Sequence, residues 1–292
     1  MRMKYWVAAI AMSAAALASA PGQAQEKKIN FGWTAWADAE AVTKLAQKII
    51  QDRFGYEVEL TLADIGIQYQ GVATGKLDGM LMSWQPVTHQ AYMEKVGKDV
   101  NDIGPIYTQA RLGWVVPTYV PEDQVKSIED LKKPEVQEKL SGKIQGIDPG
   151  AGLMRASDEA IKQYGLDKYE LISASEAGML AALERATKRN EWIVVTAWSP
   201  HWKFAKWDLR YLEDPKGVLG GLETVHKLVR KDFHQDHPEV YDFLNRMVLP
   251  MSDVEAIMAE AQDTSFEQAI EKYIEENKAL VDYWVTGKID GA

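Results

Sequence analysis

The sequence predicts an α/β protein with two lobes and a ligand cleft between them. Short apolar runs alternate with amphipathic segments of helical period, and this alternation is typical of a sheet flanked by helices. About 268 of the 292 residues remain after an apolar leader, a length that suits two lobes better than one core. The chain contains no cysteine, so apolar burial rather than disulfide bonding must stabilise it.

The first 24 residues have the pattern of a signal peptide. Arg2 and Lys4 form a short basic region, and residues 5–20 form an apolar, alanine-rich stretch. This stretch is too short for a comfortable membrane span of about 20 residues. The small residues Gly22 and Ala24 favour cleavage after Ala24, so we expect export to the periplasm. An uncleaved N-terminal anchor is the alternative.

The charge balance excludes two classes of partner. After cleavage the chain carries 31 basic residues against 43 acidic ones, a net charge of −12. Nucleic acids and anionic membrane surfaces attract basic proteins, so neither is an expected partner. Because the sequence also lacks a cysteine for lipid attachment, we expect a free, monomeric protein in the periplasm.

The first lobe is predicted to consist of residues 25–116 and 219–292. Apolar residues recur at helical spacing through residues 38–54, and Gly55 ends that helix before the next strand. The strands are predicted at 29–34, 56–62, 77–84 and 111–117, with further helices at 69–74 and 88–95. After an extended segment at 223–233, three helices at 238–247, 252–261 and 265–284 close the chain.

The second lobe, residues 117–218, is predicted to follow the same order of elements. Its strands are expected at 143–150, 169–175 and 192–197, and its helices at 156–164 and 176–189. We expect a parallel sheet in this architecture. The chain should cross between the lobes near Pro117 and again near residues 217–225. A cleft between two such lobes is a common ligand site.

Tryptophans close three of the predicted strands. Trp33 lies near the end of the first strand and Trp36 just after it, Trp84 ends a second strand, and Trp198 follows a third. Ligands of α/β proteins bind at the carboxyl ends of strands, and indole faces attract cations. We therefore predict that these indoles converge into a box for a quaternary ammonium ion; ordinary packing in the core is the alternative.

The sequence contains no strong catalytic motif. It has no Gly-x-Ser-x-Gly turn, phosphate loop or His-Glu-x-x-His, and its histidines lack metal-ligand spacing. We therefore predict no catalytic residue, no cofactor and no metal. The glycine-bearing turn "GIDPGAG" before a helix could hold a carboxylate through backbone N–H groups, or could be a plain tight turn. A remote alternative is an exported hydrolase of a choline ester with His89 or His201 as base.

Several motifs together resemble one family of transport proteins. They are "DGMLMSWQPVTH", "GKIQGIDPGAGLM", "LISASEAGMLAALERA", "TAWSPHW" and "LRYLEDPKG". These strings are similar to the substrate-binding proteins of ABC importers for glycine betaine, choline and related quaternary compounds, and the likeness runs from residue 29 to about residue 284. The resemblance implies a periplasmic binding protein fold (type II-like) whose lobes close over the ligand, and a membrane permease and an ATPase subunit as partners.

The resemblance also implies individual site residues. The positions that match the family's tryptophan cage are Trp36, Trp84 and Trp198. The ligand carboxylate of betaine binders falls on the backbone amides of Gly152 and Leu153, and the histidine of the Trp-x-Pro-x-Thr-His motif is His89. The resemblance therefore implies a small quaternary-ammonium ligand held from both lobes.

The identity of the ligand stays open at this level. Choline-binding relatives place a cage tryptophan at the position of Trp33, followed two residues later by aspartate, where this chain has Ala35. That difference favours glycine betaine over choline. If Trp33 joins the cage, four indoles would suit dimethylsulfoniopropionate or trimethylamine N-oxide, and carnitine is a further alternative. A chemoreceptor-docking binding protein without a transporter would share the same site.

Overall fold

The computed structural model describes residues 27–289, which form one nine-stranded sheet with helices packed around it. The predicted signal peptide, residues 1–24, lies outside the described residues. Within the described range, no helix is both long enough and apolar enough to cross a membrane. The fold is α/β with two lobes, as the sequence predicts.

The strands and helices alternate along much of the chain. The strands are β1 (Lys28–Trp33), β2 (Glu57–Leu62), β3 (Gly79–Gln85), β4 (Val100–Pro117), β5 (Lys143–Gln145), β6 (Glu170–Ile172), β7 (Val195–Ser199), β8 (Leu209–Tyr211) and β9 (Leu222–Arg230). The helices up to the middle of the chain are α1 (Ala37–Phe54), α2 (Ile65–Ala73), α3 (Gln90–Val96), α4 (Pro134–Lys139), α5 (Gly152–Tyr164) and α6 (Glu176–Arg189). The remaining helices are α7 (Lys203–Lys206), α8 (Phe233–Asp236), α9 (Pro238–Arg246), α10 (Met251–Asp263), α11 (Phe266–Glu276) and α12 (Lys278–Thr286).

The sheet is mixed rather than parallel throughout. Its strand order is β2-β1-β3-β9-β4-β7-β5-β6, with β8 paired to β4. In the first lobe β1 pairs in parallel with β2 and β3, and in the second lobe β5 pairs in parallel with β6 and β7. Between them β9 runs antiparallel to β3 and β4, and β4 runs antiparallel to β7. The prediction of a parallel sheet is therefore correct for β1 with β2 and β3 and for β5 with β6 and β7, and wrong for β4, β8 and β9, which pair antiparallel.

The long strand β4 joins the two lobes. It pairs with β9 from Val100 to Arg111 and with β7 from Arg111 to Val115. The sequence predicts a strand only from residue 111, because Gly104 and the following proline interrupt the apolar pattern. The structure absorbs them in register shifts, with Gly104 at a φ of 90°. The lobe boundaries at 116/117 and 218/219 remain a prediction.

Burial explains the first helix and its place in the core. One face of α1 is fully buried, and Gly55 ends the helix in the left-handed region at a φ of 71°. This helix packs against α9, α10 and α11, and the larger apolar cluster extends from it to Leu153 and Trp198 of the second lobe. A smaller cluster surrounds Trp114 within the second lobe. The cleft side of both lobes is therefore continuous with one core.

Three predicted helices have different bounds in the structure. The long helix predicted at 265–284 is interrupted at Asn277, which separates α11 from α12 and whose side chain donates to the Tyr273 carbonyl. The helix predicted at 69–74 begins earlier, at Ile65, and the helix predicted at 156–164 begins at Gly152. The last difference matters for the site, because it places Gly152 in the first turn of α5.

Candidate functional site

The structure brings six of the seven predicted ligand-binding residues around one cavity. About 290 Å³ of empty space, part of it open to solvent, lies within this cavity, which is lined by Trp36, Trp84, Thr88, His89, Leu112, Ile147, Ala151, Gly152, Leu153 and Trp198. The seventh residue, Trp33, ends β1 in a partly buried position and does not line the cavity.

The three tryptophans that line this cavity lie at or just after the ends of strands. Trp36 precedes α1 just after β1, Trp84 is the penultimate residue of β3, and Trp198 is the penultimate residue of β7. Because β1 and β3 are parallel neighbours, their carboxyl ends meet at the same edge of the sheet. The second lobe contributes β7 from the opposite side.

The tryptophans form an aromatic wall with little exposure to solvent. The Trp36 and Trp198 ring centroids are 6.4 Å apart, and the ring planes meet at 56°. Behind Trp84, the ring of Tyr107 stands edge-on at 6.4 Å. Trp84 and Trp198 are each 3% exposed and Trp36 is 6% exposed, although all three border the cavity. Such a wall can hold a cation that needs no hydrogen bonds.

The indole N–H groups of two of these tryptophans cross between the lobes. Trp36 Nε1 of the first lobe donates to Asp148 Oδ2 of the second lobe at 3.0 Å. Trp198 Nε1 of the second lobe donates to Asp38 Oδ1 of the first lobe at 3.0 Å. Asp38 Oδ2 also accepts from the Tyr107 hydroxyl at 2.7 Å. The structure therefore has its lobes in contact across the cavity.

His89 presents a neutral imidazole at the cavity. Its Nδ1 accepts the backbone N–H of Trp84 at 3.1 Å, so the ring proton is on Nε2. Burial lowers the pKa of His89 to about 3, with a smaller contribution from the nearby Arg155 guanidinium. Nε2 makes no hydrogen bond within residues 27–289, and this N–H is therefore available to an acceptor in the cavity.

The first turn of α5 faces the same cavity. Gly152 and Leu153 are its first two residues, and amides in a first turn have no partner inside the helix. The residue before them is Ala151, whose side chain cannot cap the helix. A carbon atom added at Gly152 would lie 2.3 Å from the Thr88 carbonyl oxygen of the first lobe. Glycine is thus needed here for close approach of the lobes rather than for backbone conformation.

Two charged residues hold the segment that carries His89. The Glu223 carboxylate accepts the backbone N–H groups of Val87 and Thr88 at 3.1 and 3.0 Å, and the Thr88 hydroxyl also donates to it. From the second lobe, Arg155 Nη2 donates to the Thr88 carbonyl at 2.6 Å. Sequence reasoning missed both Glu223 and Arg155, because each lies far along the chain from its partner.

A buried charged cluster lies behind Trp198. Lys203 Nζ is 4.1 Å from the Trp198 ring centroid, and Lys203 is fully buried. Glu176 accepts the Ala37 N–H at 3.0 Å and pairs with His201 Nε2 at 3.1 Å. Burial raises the pKa of Glu176 to about 8 and lowers that of Lys203 to about 7. These residues connect the two lobes beside the cavity without lining it.

Asp38, which accepts the Trp198 indole N–H, could have been noticed in the sequence. Asp38 precedes Val42 and Leu45 at helical spacing, so it is an acid on the apolar face of α1. An acid on a buried face requires partners.

Among the described residues, no group of histidines and carboxylates has the arrangement of a metal site.

Comparison with known proteins places this chain among transport proteins. A family model described as the substrate-binding domain of ABC-type glycine betaine transport systems matches residues 27–276. The glycine betaine/carnitine transport binding protein GbuC of Listeria monocytogenes is 38% identical over 191 residues, or 64% of this chain. The matched segment spans 60% of that relative's length.

Solved structures extend the likeness over most of the chain. Lactococcal OpuAC in its closed form with glycine betaine has a TM-score of 0.83 and 36% identity, covering 89% of this chain and 99% of its own. The glycine betaine/L-proline-binding protein ProX of Borrelia burgdorferi has a TM-score of 0.83 and 34% identity, covering 88% and 96%. An ABC-transporter choline-binding protein with choline has a TM-score of 0.82 and 25% identity, covering 91% and 94%.

Proposed function

This chain belongs to the family of substrate-binding domains of ABC-type glycine betaine transport systems, and we propose that it captures glycine betaine in the cavity between its lobes. The observation that carries the proposal is one cavity lined both by three indoles and by N–H donors, which are His89 Nε2–H and the first-turn amides of α5. This arrangement suits a small ligand with a methylated cation at one end and a carboxylate at the other. In this proposal the cage consists of Trp36, Trp84 and Trp198.

The cation of the ligand is held by the indole faces. A trimethylammonium group cannot donate a hydrogen bond and is weakly hydrated, so aromatic faces compete well with water for it. Each desolvated contact of this kind supplies about 2 kcal/mol. Because a primary ammonium would lose its hydrogen bonds to water without finding acceptors on this wall, the cage discriminates against ordinary amino acids.

The carboxylate of the ligand is held at the start of α5 and by His89. The amides of Gly152 and Leu153 lie at the positive end of the helix dipole, and the His89 Nε2–H supplies a third donor. Choline carries a hydroxyl in place of the carboxylate and would leave these donors without a charged acceptor. This difference is the physical reason to place glycine betaine before choline, carnitine, dimethylsulfoniopropionate and trimethylamine N-oxide.

Binding at such a site requires no chemistry on the ligand. The first lobe contributes two cage tryptophans and His89, and the second lobe contributes Trp198 and the start of α5, so closure of the lobes completes the site. We propose that the closed, loaded protein is a periplasmic monomer. It would then deliver its ligand to the permease and ATPase subunits of an importer.

The test is isothermal titration calorimetry with residues 25–292. The panel consists of glycine betaine, choline, carnitine, proline betaine, dimethylsulfoniopropionate and trimethylamine N-oxide. We expect glycine betaine to have the lowest dissociation constant, with choline much weaker. Tight choline binding would overturn the betaine assignment, and no heat with any compound would overturn the proposed function altogether.

A further inference from the structure

Two carboxylates outside the cavity lining hold two of the cage tryptophans, each from the opposite lobe. We propose that Asp38 and Asp148 are positioning residues that orient Trp198 and Trp36 when the lobes close, and that they thereby set the affinity for the ligand's cation. The inference rests on the proposed function, because it concerns the same cage. It adds two residues that do not touch the ligand.

The hydrogen bonds are reciprocal between the lobes. Trp36 of the first lobe donates to Asp148 of the second, and Trp198 of the second lobe donates to Asp38 of the first, both at 3.0 Å. An indole has a single N–H donor, so one such bond restricts rotation of the whole ring. Opening the lobes would break both bonds at once. The orientation of these two rings is therefore linked to closure even before a ligand is considered.

The surroundings of Asp38 indicate that packing alone does not explain it. The residue is fully buried on α1 between alanines, and its two oxygens accept from the Trp198 and Tyr107 side chains. A buried carboxylate costs free energy even when it is hydrogen-bonded, and an apolar residue on this helix face would avoid that cost. What the carboxylate supplies is an acceptor for the Trp198 indole at a fixed place.

The charge of Asp38 also bears on the cation site. Lys203 Nζ is 4.1 Å from the Trp198 ring centroid, and an ammonium group there repels a second cation on the same ring. Burial raises the pKa of Asp38, whereas the hydrogen bonds from Tyr107 and Trp198 lower it; in its ionised form Asp38 places a negative charge at the edge of the Trp198 ring and offsets this repulsion. Asp148 accepts the Trp36 indole N–H in the same way, so the two aspartates act alike on the geometry of the rings.

A double-mutant cycle separates this role from general destabilisation. Trp198→Phe keeps an aromatic face and removes the N–H, so Asp38→Ala should weaken betaine binding at least tenfold alone but less than threefold in the Trp198→Phe protein. The matched cycle pairs Asp148→Ala with Trp36→Phe. Because Asp148 is only partly buried, its variant leaves a folded protein even if Asp38→Ala does not. Asp38→Asn keeps an acceptor for the indole and should recover most of the orientation.

Calorimetry gives the affinities, and the ¹⁵N-labelled indole N–H signals give an independent readout. We expect the Trp36 and Trp198 signals to exchange slowly with solvent in the betaine complex and quickly in the two alanine variants. Equal losses from Asp→Ala in the tryptophan and phenylalanine backgrounds, with intact betaine binding by the unsubstituted protein, would overturn the positioning role alone. Absence of betaine binding by the unsubstituted protein would overturn the proposed function, and this inference with it.

Discussion

Replacement of His89 tests whether the cavity recognises a carboxylate. The imidazole has two separate tasks in the structure: Nδ1 accepts the Trp84 backbone N–H at 3.1 Å, and Nε2–H is available at the cavity. His89→Ala removes both. His89→Asn keeps an acceptor near the position of Nδ1 and is too short to place a donor at the position of Nε2, so it isolates the contribution to the ligand. His89→Gln can restore a donor near the position of Nε2.

The expected size of the effect follows from the kind of hydrogen bond. A bond from a neutral donor to a charged carboxylate contributes about 1.5–3 kcal/mol. At about 1.4 kcal/mol per factor of ten, His89→Asn should raise the dissociation constant for glycine betaine roughly ten- to a hundredfold. His89→Ala should cost at least as much, because it also leaves a buried N–H of Trp84 without its acceptor. Choline, which has no carboxylate, should bind weakly to all of these proteins and change little among them.

Calorimetric titration of both ligands into the unsubstituted protein and the three variants provides the measurement. Thermal unfolding of each variant without ligand separates loss of contact from loss of structure. Partial recovery in His89→Gln relative to His89→Asn would support direct donation to the ligand. Equal losses for betaine and choline would refute the reasoning, because they would mean that His89 acts only by supporting Trp84.

Three further results are expected. Trp198→Ala should weaken betaine binding at least thirtyfold, because it removes about 2 kcal/mol of cation–π attraction together with apolar contact. Its control, Trp284→Ala, should lower the melting temperature and leave the dissociation constant of the folded protein nearly unchanged, and a larger loss of affinity in Trp284→Ala than in Trp198→Ala would contradict the cage. Gly152→Ala should weaken betaine binding more than tenfold while its control Gly150→Ala does not, because only the first places a carbon 2.3 Å from a carbonyl oxygen of the opposite lobe. Small-angle scattering with saturating betaine should find the Gly152→Ala protein less compact than the unsubstituted protein. His89 should contribute no pH dependence to betaine affinity between pH 5 and pH 8, because its imidazole stays neutral there. Its folded pKa of about 3 lies below the unfolded value of 6.5, so the free energy of unfolding measured by urea titration should decline by up to about 3 kcal/mol between pH 6.5 and pH 4, and a smaller decline in His89→Asn would be the signature of this residue.

Local patterns were enough to predict the elements that carry the aromatic wall. Trp36, Trp84 and Trp198 each follow or end an apolar strand, and the carboxyl ends of strands in one sheet lie at one edge. The helix start at Gly152 was also visible as a glycine-bearing turn, although the structure begins the helix there rather than four residues later. Hydrophobic periodicity and turn composition depend only on residues that are close in the sequence. For this reason they could be recognised without a structure.

The junction between the lobes was less predictable. The strand β4 contains Gly104 and Pro105, residues that usually interrupt a strand, yet the chain continues as a strand with register shifts in the pairing with β9 on both sides of Pro105. The antiparallel pairing of β4 with β9 joins segments more than a hundred residues apart. Local propensity carries no information on such a pairing.

The sequence by itself determined the α/β class, the two-lobed family and the tryptophans of the wall. Only the tertiary structure decided which polar group meets which. Asp38 and Trp198 are 160 residues apart, and Trp36 and Asp148 are 112 apart, yet each pair is joined at 3.0 Å. A hydrogen bond forms wherever folding brings a donor and an acceptor together, and across a cleft that position depends on how two whole lobes meet. For this reason the tryptophans of the wall could be recognised in the sequence, whereas their pairing with these two carboxylates could not.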